Sequence, residues 1–476
     1  MGKPTGFLDY EREDARAESP KERIKHFNEF HIPLSREEQQ KQGARCMDCG
    51  VPFCQSGKVL LNGMASGCPL NNLVPEWNDL IYTGNWEQAY LRLKKTNPFP
   101  EFTGRVCPAL CENACTCGLN GDPVCSKQNE LSIIEYGYKH GLAKARPPKF
   151  RTGKKVAVIG SGPAGLTCAG DLAKMGYDVT IFEALHEPGG VLVYGIPEFR
   201  LPKSTVVASE IENVKSLGVK IETNVVIGKS MTIDQLIEEE GFEAVFIGSG
   251  AGLPRFMGIP GENANGVFSA NEYLTRSNLM KAFNDDYDTP IARFNKVAIV
   301  GGGNVAMDAA RTALRLGAEV HIVYRRSEAE LPARAEEVHH AKEEGIIFDL
   351  LTNPTEIIAD ENGWVKGMKC VKMELGEPDA SGRRRPVEVP GSEYVMDLDA
   401  VIMSLGTSPN PLISSTTKGL DINNRKCIIA EEETGKTTKT GVYAGGDAVT
   451  GAATVILAMG AGKAGAKGID EYLSNK

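Results

Sequence analysis

The sequence has no surplus of positive charge. Its 53 Lys and Arg residues are fewer than its 62 Asp and Glu residues, so the formal net charge is −9. Because nucleic-acid binding generally needs a basic face, this balance argues against nucleic acid as a partner. The charged and hydrophobic fractions, 24% and 41%, are those of a globular protein, and 476 residues suffice for two or three domains.

The first residues also have no apolar core. MGKPTGFLDYEREDARAE is highly charged, whereas a signal peptide or membrane anchor needs a continuous apolar stretch. We therefore expect a cytoplasmic protein without a membrane span. Disulfides are rare in that reducing compartment, yet nine of the 12 cysteines lie between Cys46 and Cys125. Such crowding predicts metal or cluster ligation.

The stretch from 154 to 183 predicts a dinucleotide site. An apolar run at 156–159 predicts a buried strand, and a GxGxxG turn follows it before an Ala- and Leu-rich helix. The glycines of such a turn let the backbone approach a pyrophosphate, which the helix N-terminus attracts. Glu183 ends the next predicted strand, where a carboxylate can accept both hydroxyls of an adenosine ribose. The contacts predicted in the turn are Gly160, Gly162, Pro163, Ala164 and Gly165.

An internal repeat supplies a second turn of this kind. A shift of 141 positions places the first stretch on residues 295–324 without a gap. The second turn reads GxGxxA, and alanine still permits close helix packing. The chain is therefore predicted to contain two dinucleotide-binding units. The contacts predicted in the second turn are Gly301, Gly303, Asn304 and Val305.

The two copies differ where the ribose would bind. Tyr324 stands in place of the acid of the first copy, and Arg325 and Arg326 follow it directly. Two guanidiniums attract a 2′-phosphate by charge and by bidentate hydrogen bonds, so the second nucleotide is predicted to be NADP(H). The alternative is a pair of exposed arginines at a strand end with no ligand.

Three further segments complete the first site in this interpretation. The irregular stretch GGVLVYGIPEFRLPK, which contains Gly190, is expected beside a flavin, although it could be a surface connection instead. Another apolar strand ends in glycines that include Gly250. Near the end of the chain, Asp447 and the helix that follows it could hold a ribityl hydroxyl and a phosphate. The contacts predicted there are Gly446, Asp447 and Thr454.

The cysteines form two runs. The first supplies Cys46, Cys49, Cys54 and Cys68, and the second supplies Cys107, Cys111, Cys115 and Cys117. Steps of four residues put thiolates on one face of a helical turn, and a proline follows two of these cysteines as in ferredoxin-type runs. Structural zinc usually uses paired CxxC knuckles, and this segment has just one CxxC. Iron–sulfur clusters, which take four ligands each, are therefore favoured, with zinc as the alternative.

Seven motifs, taken in order and spacing, resemble the family of the small (beta) subunit of NADPH-dependent glutamate synthase over essentially the whole length. They are CMDCGVPFC, GCPLNNLVPEWNDLIYTGNW, NPFPEFTGRVCPALCENAC, GSGPAG, GGVLVYGIPEFRLPK, GGGNVAMDAAR and AGGDAVTGAATVILAMGAG. The same module resembles the N-terminal part of dihydropyrimidine dehydrogenase and the large subunit of electron-bifurcating NADH-dependent ferredoxin–NADP oxidoreductases. GGGNVAMDAAR is also similar to adrenodoxin reductase.

The resemblance implies two 4Fe-4S clusters with interleaved ligands. One set would be Cys46, Cys49, Cys54 and Cys115, and the other would be Cys68, Cys107, Cys111 and Glu130. Cys117 and Cys125 are extra thiols that depart from the family pattern, and either could take the place of Glu130.

The predicted fold is α/β, with two Rossmann-like domains of the glutathione-reductase or adrenodoxin-reductase type behind a helical iron–sulfur domain. We expect the helical domain at 1–148, the FAD domain at 149–288 and 391–476, and the NADP(H) domain inserted at 289–390. The strand-like segment 398–410 should then rejoin the FAD domain. A basic turn, ASGRRRPVEVP at 380–390, is either a partner contact or a solvated hairpin tip.

The function that the resemblance implies is electron entry. NADPH would reduce FAD, and electrons would leave through the clusters to a large subunit that makes glutamate from glutamine and 2-oxoglutarate. Hydride transfer to a flavin depends on stacking and distance, so no catalytic acid or base is predicted. The second residue is Gly2 and not the cysteine of an amidotransferase, so we expect a hetero-oligomer.

Three other functions compete with this interpretation. The nearest is the NADP(H)-binding subunit of an electron-bifurcating complex, but the long spacing from Cys54 to Cys68 favours glutamate synthase. A thiol–disulfide flavoreductase would need a CxxC near its flavin or in its NADP(H) domain, where only Cys370 occurs. A non-catalytic zinc scaffold would be colourless.

Overall fold

The computed structural model describes residues 3, 5–60, 64–378, 382 and 384–476. A mainly helical N-terminal part precedes two parallel sheets, and an antiparallel sheet is attached to the second of them. Within the described residues, no helix has both the length and the apolar character needed to cross a membrane.

The N-terminal part is built around a small helical core. Its helices are α1 (Gly6–Asp9), α2 (Pro20–Arg23), α3 (Arg36–Ala44), α4 (Val74–Tyr82), α5 (Trp86–Thr96), α6 (Pro100–Val106), α7 (Leu110–Asn113) and α8 (Ser126–Lys139), and its strands are β1 (Arg16–Ala17), β2 (His31–Ile32), β3 (Lys58–Leu60) and β4 (Met64–Ser66). A capping box between Ser35 and Glu38 begins α3. Trp77, Leu93 and Ile133 are fully buried where α4, α5 and α8 meet.

The remaining elements follow in three runs. From 155 to 278 they are β5 (Lys155–Ile159), α9 (Pro163–Met175), β6 (Asp178–Phe182), α10 (Val191–Tyr194), α11 (Ala208–Ser216), β7 (Lys220–Glu222), α12 (Ile233–Glu238), β8 (Ala244–Ile247), β9 (Leu253–Pro254), β10 (Val267–Ser269) and α13 (Ala270–Asn278). From 296 to 403 they are β11 (Lys296–Val300), α14 (Asn304–Arg315), β12 (Glu319–Tyr324), α15 (Ala335–Glu343), β13 (Ile347–Leu350), β14 (Thr352–Ala359), β15 (Val365–Pro378), β16 (Arg384–Glu388), β17 (Tyr394–Asp397) and β18 (Ala400–Met403). The last are β19 (Thr407–Ser408), α16 (Leu412–Thr416), β20 (Val442–Ala444), α17 (Asp447–Thr450) and α18 (Val455–Ser474).

Two five-stranded parallel sheets carry the two glycine turns. The first has the order β20-β8-β5-β6-β7, and the second has the order β10-β18-β11-β12-β13. In each sheet the strand before the glycine turn lies in the centre, where helices cover both faces. The internal repeat therefore corresponds to two doubly wound units, and the predicted fold class is confirmed.

One strand departs from the predicted domain plan. The segment 398–410 was expected to rejoin the first unit, but its strand β18 pairs with β11 of the second sheet, with Val297 opposite Ala400. On its other side β18 pairs with β10, which precedes residue 289. That expectation is wrong because β18 is buried on both faces, and a strand that is apolar throughout fits either parallel sheet equally well.

A buried ionic network joins the three parts of the chain. The Glu344 carboxylate accepts hydrogen bonds from Arg311 (3.0 and 2.8 Å), Arg315 (2.8 Å) and Arg23 (2.8 Å), the last from the N-terminal part. The Phe199 ring, from the stretch expected beside a flavin, lies against Arg311 and Arg315 with centroid distances of 4.8 and 4.1 Å. Loss of this one carboxylate would leave three buried guanidiniums without their shared partner.

Candidate cofactor sites

The first glycine turn has the shape of a phosphate cradle. Gly160 has a φ of +93°, and a Cβ built on Gly165 would lie 1.9 Å from the Gly160 carbonyl oxygen, so neither position accepts a side chain. Gly162, which precedes α9, has open space where its Cβ would be. Pro163 and Ala164 form the first turn of α9, whose N-terminal N–H groups face that space. The backbone there can bind a pyrophosphate.

Glu183 lies at the end of β6 beside this turn. Its carboxylate is buried and accepts hydrogen bonds from the N–H groups of Ser161 and Leu185, both at 2.9 Å. The Ser161 hydroxyl also donates to Glu183 and accepts from the N–H of Gly189 at 2.9 Å. Glu183 is thus fixed in orientation, with one acceptor site left, on Oε1, for a ribose hydroxyl.

The stretch expected beside a flavin lies against the glycine turn. Gly190 has a φ of +56°, and a Cβ there would lie 2.9 Å from the Cα of Gly162. Gly250 follows β8 with a φ of +70° and open space around it. The alternative of a remote surface connection therefore does not hold, because the two glycine-rich segments touch.

The C-terminal segment 446–454 packs against the helix that follows the first glycine turn. A Cβ on Gly446 would lie 3.0 Å from the Cβ of Ala164. Burial raises the pKa of Asp447 to about 6, although the Ala453 N–H donates to it at 3.2 Å. Thr454 caps α18 by accepting from the Leu457 N–H. Gly446 therefore packs against the first turn of α9, and Asp447 and Thr454 follow it closely in the chain.

Sequence reasoning did not single out Tyr194. Burial raises its pKa to about 12, and the carboxylates of Asp447 and Glu183 add to the rise. The two acids predicted to bind the sugar parts of FAD thus both act on the Tyr194 hydroxyl. The only signal in the sequence was its position inside GGVLVYGIPEFRLPK.

The second turn has the same construction, with a glycine of positive φ followed by a glycine that has open space in front of a helix. Gly301 has a φ of +142°, and a Cβ there would lie 2.2 Å from the carbonyl oxygen of Ser404. Gly303 precedes α14 and has open space. The Asn304 side-chain oxygen accepts from the Arg334 N–H at 2.9 Å, and Val305 is exposed.

The two arginines of the second unit lie at the end of β12. Arg325 is exposed, and Arg326 is half-buried with its Nε donating to the carbonyl oxygen of Arg384 at 2.9 Å. The Tyr324 ring packs on the glycine turn, since a Cβ on Gly302 would lie 2.9 Å from it. A nucleotide on this turn would direct its ribose towards these guanidiniums.

The first predicted thiol set lines one cavity. Cys46, Cys49, Cys54 and Cys115 all border it. Burial raises the pKa of Cys54 to about 12, and the thiols of Cys46, Cys115 and Cys49 add to the rise. Cys117 borders the same cavity, so five thiols surround a space in which four would form the donor set of a 4Fe-4S cluster.

The second predicted set is also brought together. Burial raises the pKa of Cys107 to about 12, and Glu130 and Cys68 add to the rise. The pKa of Cys111 is raised by burial and by the neighbouring thiols of Cys107 and Cys68. Glu130 accepts hydrogen bonds from Thr103, Asn97 and Asn72, and burial raises its pKa to about 7.

The hydrogen-bond partners of the two extra thiols are residues other than Glu130. Cys117 lies beside Cys115, and a hydrogen bond between the two thiols lowers the pKa of Cys115 to about 6. The Cys125 thiol donates to the side-chain oxygen of Gln42 at 3.4 Å. For the zinc alternative, the described residues contain no group of three His, Cys, Asp or Glu side chains placed to hold a single metal ion.

Known families match both parts of the chain. A family model described as pyridine nucleotide-disulphide oxidoreductase matches residues 154–462, and one described as dihydropyrimidine dehydrogenase domain II, 4Fe-4S cluster, matches residues 23–142. The small chain of glutamate synthase [NADPH] from Bacillus subtilis is 39% identical, with 99% of each chain covered. The chain belongs to the glutamate synthase small-chain family. The expected resemblance is confirmed.

Members of this small-chain family and other relatives extend the comparison. The Escherichia coli small chain is 35% identical with 98% of each chain covered. The beta subunit of an NADP(+)-dependent formate dehydrogenase from Moorella thermoacetica is 40% identical, covering 85% of this chain and 59% of that one. Glutamate synthase [NADH] from Schizosaccharomyces pombe is 34% identical over all of this chain but only 23% of its own length.

Solved structures give the fold of the two nucleotide units. Mycobacterium tuberculosis FprA in complex with NADPH aligns with a TM-score of 0.56 at 19% identity, covering 68% of this chain and 85% of that one. Lactococcus lactis thioredoxin reductase aligns with a TM-score of 0.52 at 22% identity, covering 68% of this chain and all of that one. At these identities the likeness concerns the fold alone.

Proposed function

We propose that this chain is the NADPH-oxidising electron-entry subunit of a glutamate synthase. The observation that carries the proposal is a shared core between the first nucleotide-binding unit and the cysteine-rich part. Cys68 and Phe102 belong to the same cluster of buried side chains as Leu166 and Ile456, and Cys107 packs against it. A thiol set built into the wall of the flavin unit is positioned to take electrons from it.

The first site is proposed to hold FAD. The backbone at Gly162 and the N-terminus of α9 would bind the pyrophosphate, and Glu183 would bind the adenosine ribose. Asp447 and Tyr194 would border the ribityl chain. Bound FAD would accept a hydride from NADPH, and bound 4Fe-4S clusters would carry the electrons onward singly.

The second site is proposed to hold NADP(H). Gly303 and the N-terminus of α14 would bind its pyrophosphate, and Arg325 and Arg326 would bind the 2′-phosphate. No acid–base pair is proposed for either site, because this chain's role is to orient two cofactors.

The two thiol sets are proposed to hold two clusters in series. The set with Cys68 and Cys107 shares the flavin unit's core, so it would receive electrons first. The set with Cys46 and Cys54 shares its cavity with the exposed Phe53, and Val51 and Leu119, each two residues from a cysteine of this cavity in the sequence, are exposed as well. An exposed apolar surface beside a redox centre suits a protein partner. The partner proposed is the large glutamate synthase subunit, and the Schizosaccharomyces pombe relative, in which the matching segment is part of a longer chain, supports it.

A test of this function is purification of the tagged chain from its own cells. We expect a large amidotransferase subunit to co-purify, and the complex to form glutamate only when NADPH, glutamine and 2-oxoglutarate are all present. The isolated chain should oxidise NADPH with ferricyanide and form no glutamate. Recovery of a ferredoxin-reducing partner without glutamate formation would move the role to an electron-bifurcating complex.

The cluster assignment is tested by iron content. We expect Cys49→Ser to lower the iron of the purified chain from about eight to about four atoms, because each 4Fe-4S cluster needs all four ligands. Cys117→Ser and Cys125→Ser are matched controls that should keep about eight atoms. Loss of iron in either control, with iron retained in Glu130→Gln, would show that an extra thiol replaces Glu130.

A further inference from the structure

The basic turn at 380–390 reaches the strand end of the second site. Its strand β16 begins at Arg384 and pairs with β15, so that Arg384 lies opposite Pro378. The side chain of Arg326 donates to the carbonyl oxygen of Arg384 at 2.9 Å. Residues 379–381 and 383 lie outside the described part of the turn. Arg384 is therefore brought beside Arg326 and Ser327, the two residues that follow Arg325.

The guanidinium of Arg384 is held in one orientation. Its Nε donates to Glu330 Oε1 at 2.6 Å, and its Nη2 donates to the Ser327 hydroxyl at 3.4 Å. Ser327 in turn donates to the other oxygen of Glu330, and the Tyr324 hydroxyl donates to the Glu330 carbonyl oxygen at 2.8 Å. The Glu330 side chain is 10% exposed, whereas that of Arg384 is 43% exposed. Among the described residues, the Nη1 group of Arg384 has no partner.

The charges at this strand end favour a dianion. Arg325, Arg326 and Arg384 contribute three positive charges, and Glu330 cancels one of them. The remaining charge matches that of a phosphate monoester, which is close to −2 at neutral pH. An ion pair between partly exposed groups contributes little to the stability of a fold. That small gain does not account for an arginine fixed by two partners at the end of β12.

We infer that Arg384 is a third guanidinium of the 2′-phosphate site, and that Glu330 and Ser327 position it. The inference rests on the proposed NADP(H) site and extends it to a residue distant in sequence. Selection of NADPH over NADH then depends on the antiparallel sheet as well as on β12. The part of the basic turn from Arg384 onward is in this view part of the nucleotide site.

The test compares Arg384→Ala with Arg385→Ala. Successive residues of a strand point to opposite faces, so Arg385 is a matched control with the same charge. We expect Arg384→Ala to raise KM for NADPH about tenfold, the effect of losing one hydrogen bond between charged groups. KM for NADH, kcat and FAD content should stay unchanged. Inhibition by 2′,5′-ADP should weaken by a similar factor, while inhibition by 5′-AMP should not change.

Two further variants separate the possible outcomes. Arg384→Lys keeps the charge and should recover part of the lost affinity for 2′,5′-ADP, because an ammonium ion lacks the bidentate fork. Arg325→Ala reports on the NADP(H) site itself. If Arg325→Ala weakens 2′,5′-ADP binding and Arg384→Ala does not, the inference is wrong while the proposed function stands. If Arg384→Ala weakens the binding of 2′,5′-ADP and of 5′-AMP equally, Arg384 has a structural role. If the wild-type chain does not prefer NADPH over NADH, both the inference and the proposed NADP(H) site are wrong.

Discussion

Replacing Gly165 with alanine is expected to give a folded chain that binds FAD about 100-fold more weakly. The new Cβ would lie 1.9 Å from the carbonyl oxygen of Gly160, and that oxygen belongs to the backbone of the turn itself. Overpacking costs about 1 to 3 kcal/mol where neighbours can relax. Here the turn must move, so we expect the upper end of that range, which corresponds to about 100-fold in affinity.

Two glycines of the same region serve as controls for this prediction. A Cβ on Gly170, in the same helix, would lie 4.0 Å from the Cγ2 of Val214, an ordinary contact, so Gly170→Ala should keep its FAD. Gly162→Ala meets no protein atom within 4 Å, yet its methyl group would occupy the space proposed for the pyrophosphate. It should therefore lose FAD without loss of folding. The measurements are FAD released per chain and the far-ultraviolet circular dichroism spectrum; full FAD in Gly165→Ala would contradict the proposed site.

Replacing Glu344 with glutamine is expected to destabilise the chain by about 3 to 5 kcal/mol, the usual cost of breaking a buried ion pair from one side. Its carboxylate is the common partner of Arg23, Arg311 and Arg315, and its side chain is fully buried. A neutral amide would leave those guanidiniums undercompensated in a dry environment. Urea unfolding followed by circular dichroism measures the loss, and the transition that involves the N-terminal part should shift most.

Because the Glu344 carboxylate has a shifted pKa, the stability of the chain should also depend on pH. The hydrogen bonds and charges of Arg311 and Arg315, acting against burial, lower the pKa of Glu344 to about 2 from its ordinary value of 4.5. A lowered pKa in the folded state stabilises the protein above the unfolded value, and this contribution is lost as the pH falls from about 4.5 towards 2. Glu344→Gln should therefore show a shallower fall of stability over this range than the wild type.

The adjacent residue is a matched control for both measurements. Glu343 also bonds Arg23, at 2.9 Å, but its side chain is 35% exposed. Glu343→Gln should cost less than about 1 kcal/mol, as partly exposed ion pairs do. Equal destabilisation by the two variants would mean that the network does not depend on the buried carboxylate.

The repeat shows how far local sequence determines geometry. Both turns begin with a glycine that needs a positive φ, and the sequence marks both. The third position differs, because Gly165 has no room for a Cβ whereas Ala306 carries one and is fully buried. The sequence allowed both residues at this position, and only the structure shows which turn is the tighter one.

The sequence did not determine which of the two parallel sheets each strand joins. Strand β18 is apolar at every position and was expected in the first unit, but it completes the second sheet beside β11 and β10. Parallel strands buried on both faces carry no alternating pattern that would distinguish one sheet from the other. Their neighbours are decided by the packing of helices and loops around them.

The sequence by itself determined the two nucleotide turns, the acid and the arginines that follow them, and the cysteine runs. These features depend on residues within one turn or one strand, where spacing fixes geometry. Only the tertiary structure decided that Cys125 bonds Gln42, that Asp447 and Glu183 both act on Tyr194, that Arg326 bonds the backbone of Arg384 and that Glu344 joins three arginines. Such contacts join distant segments through topology, and no local pattern encodes them.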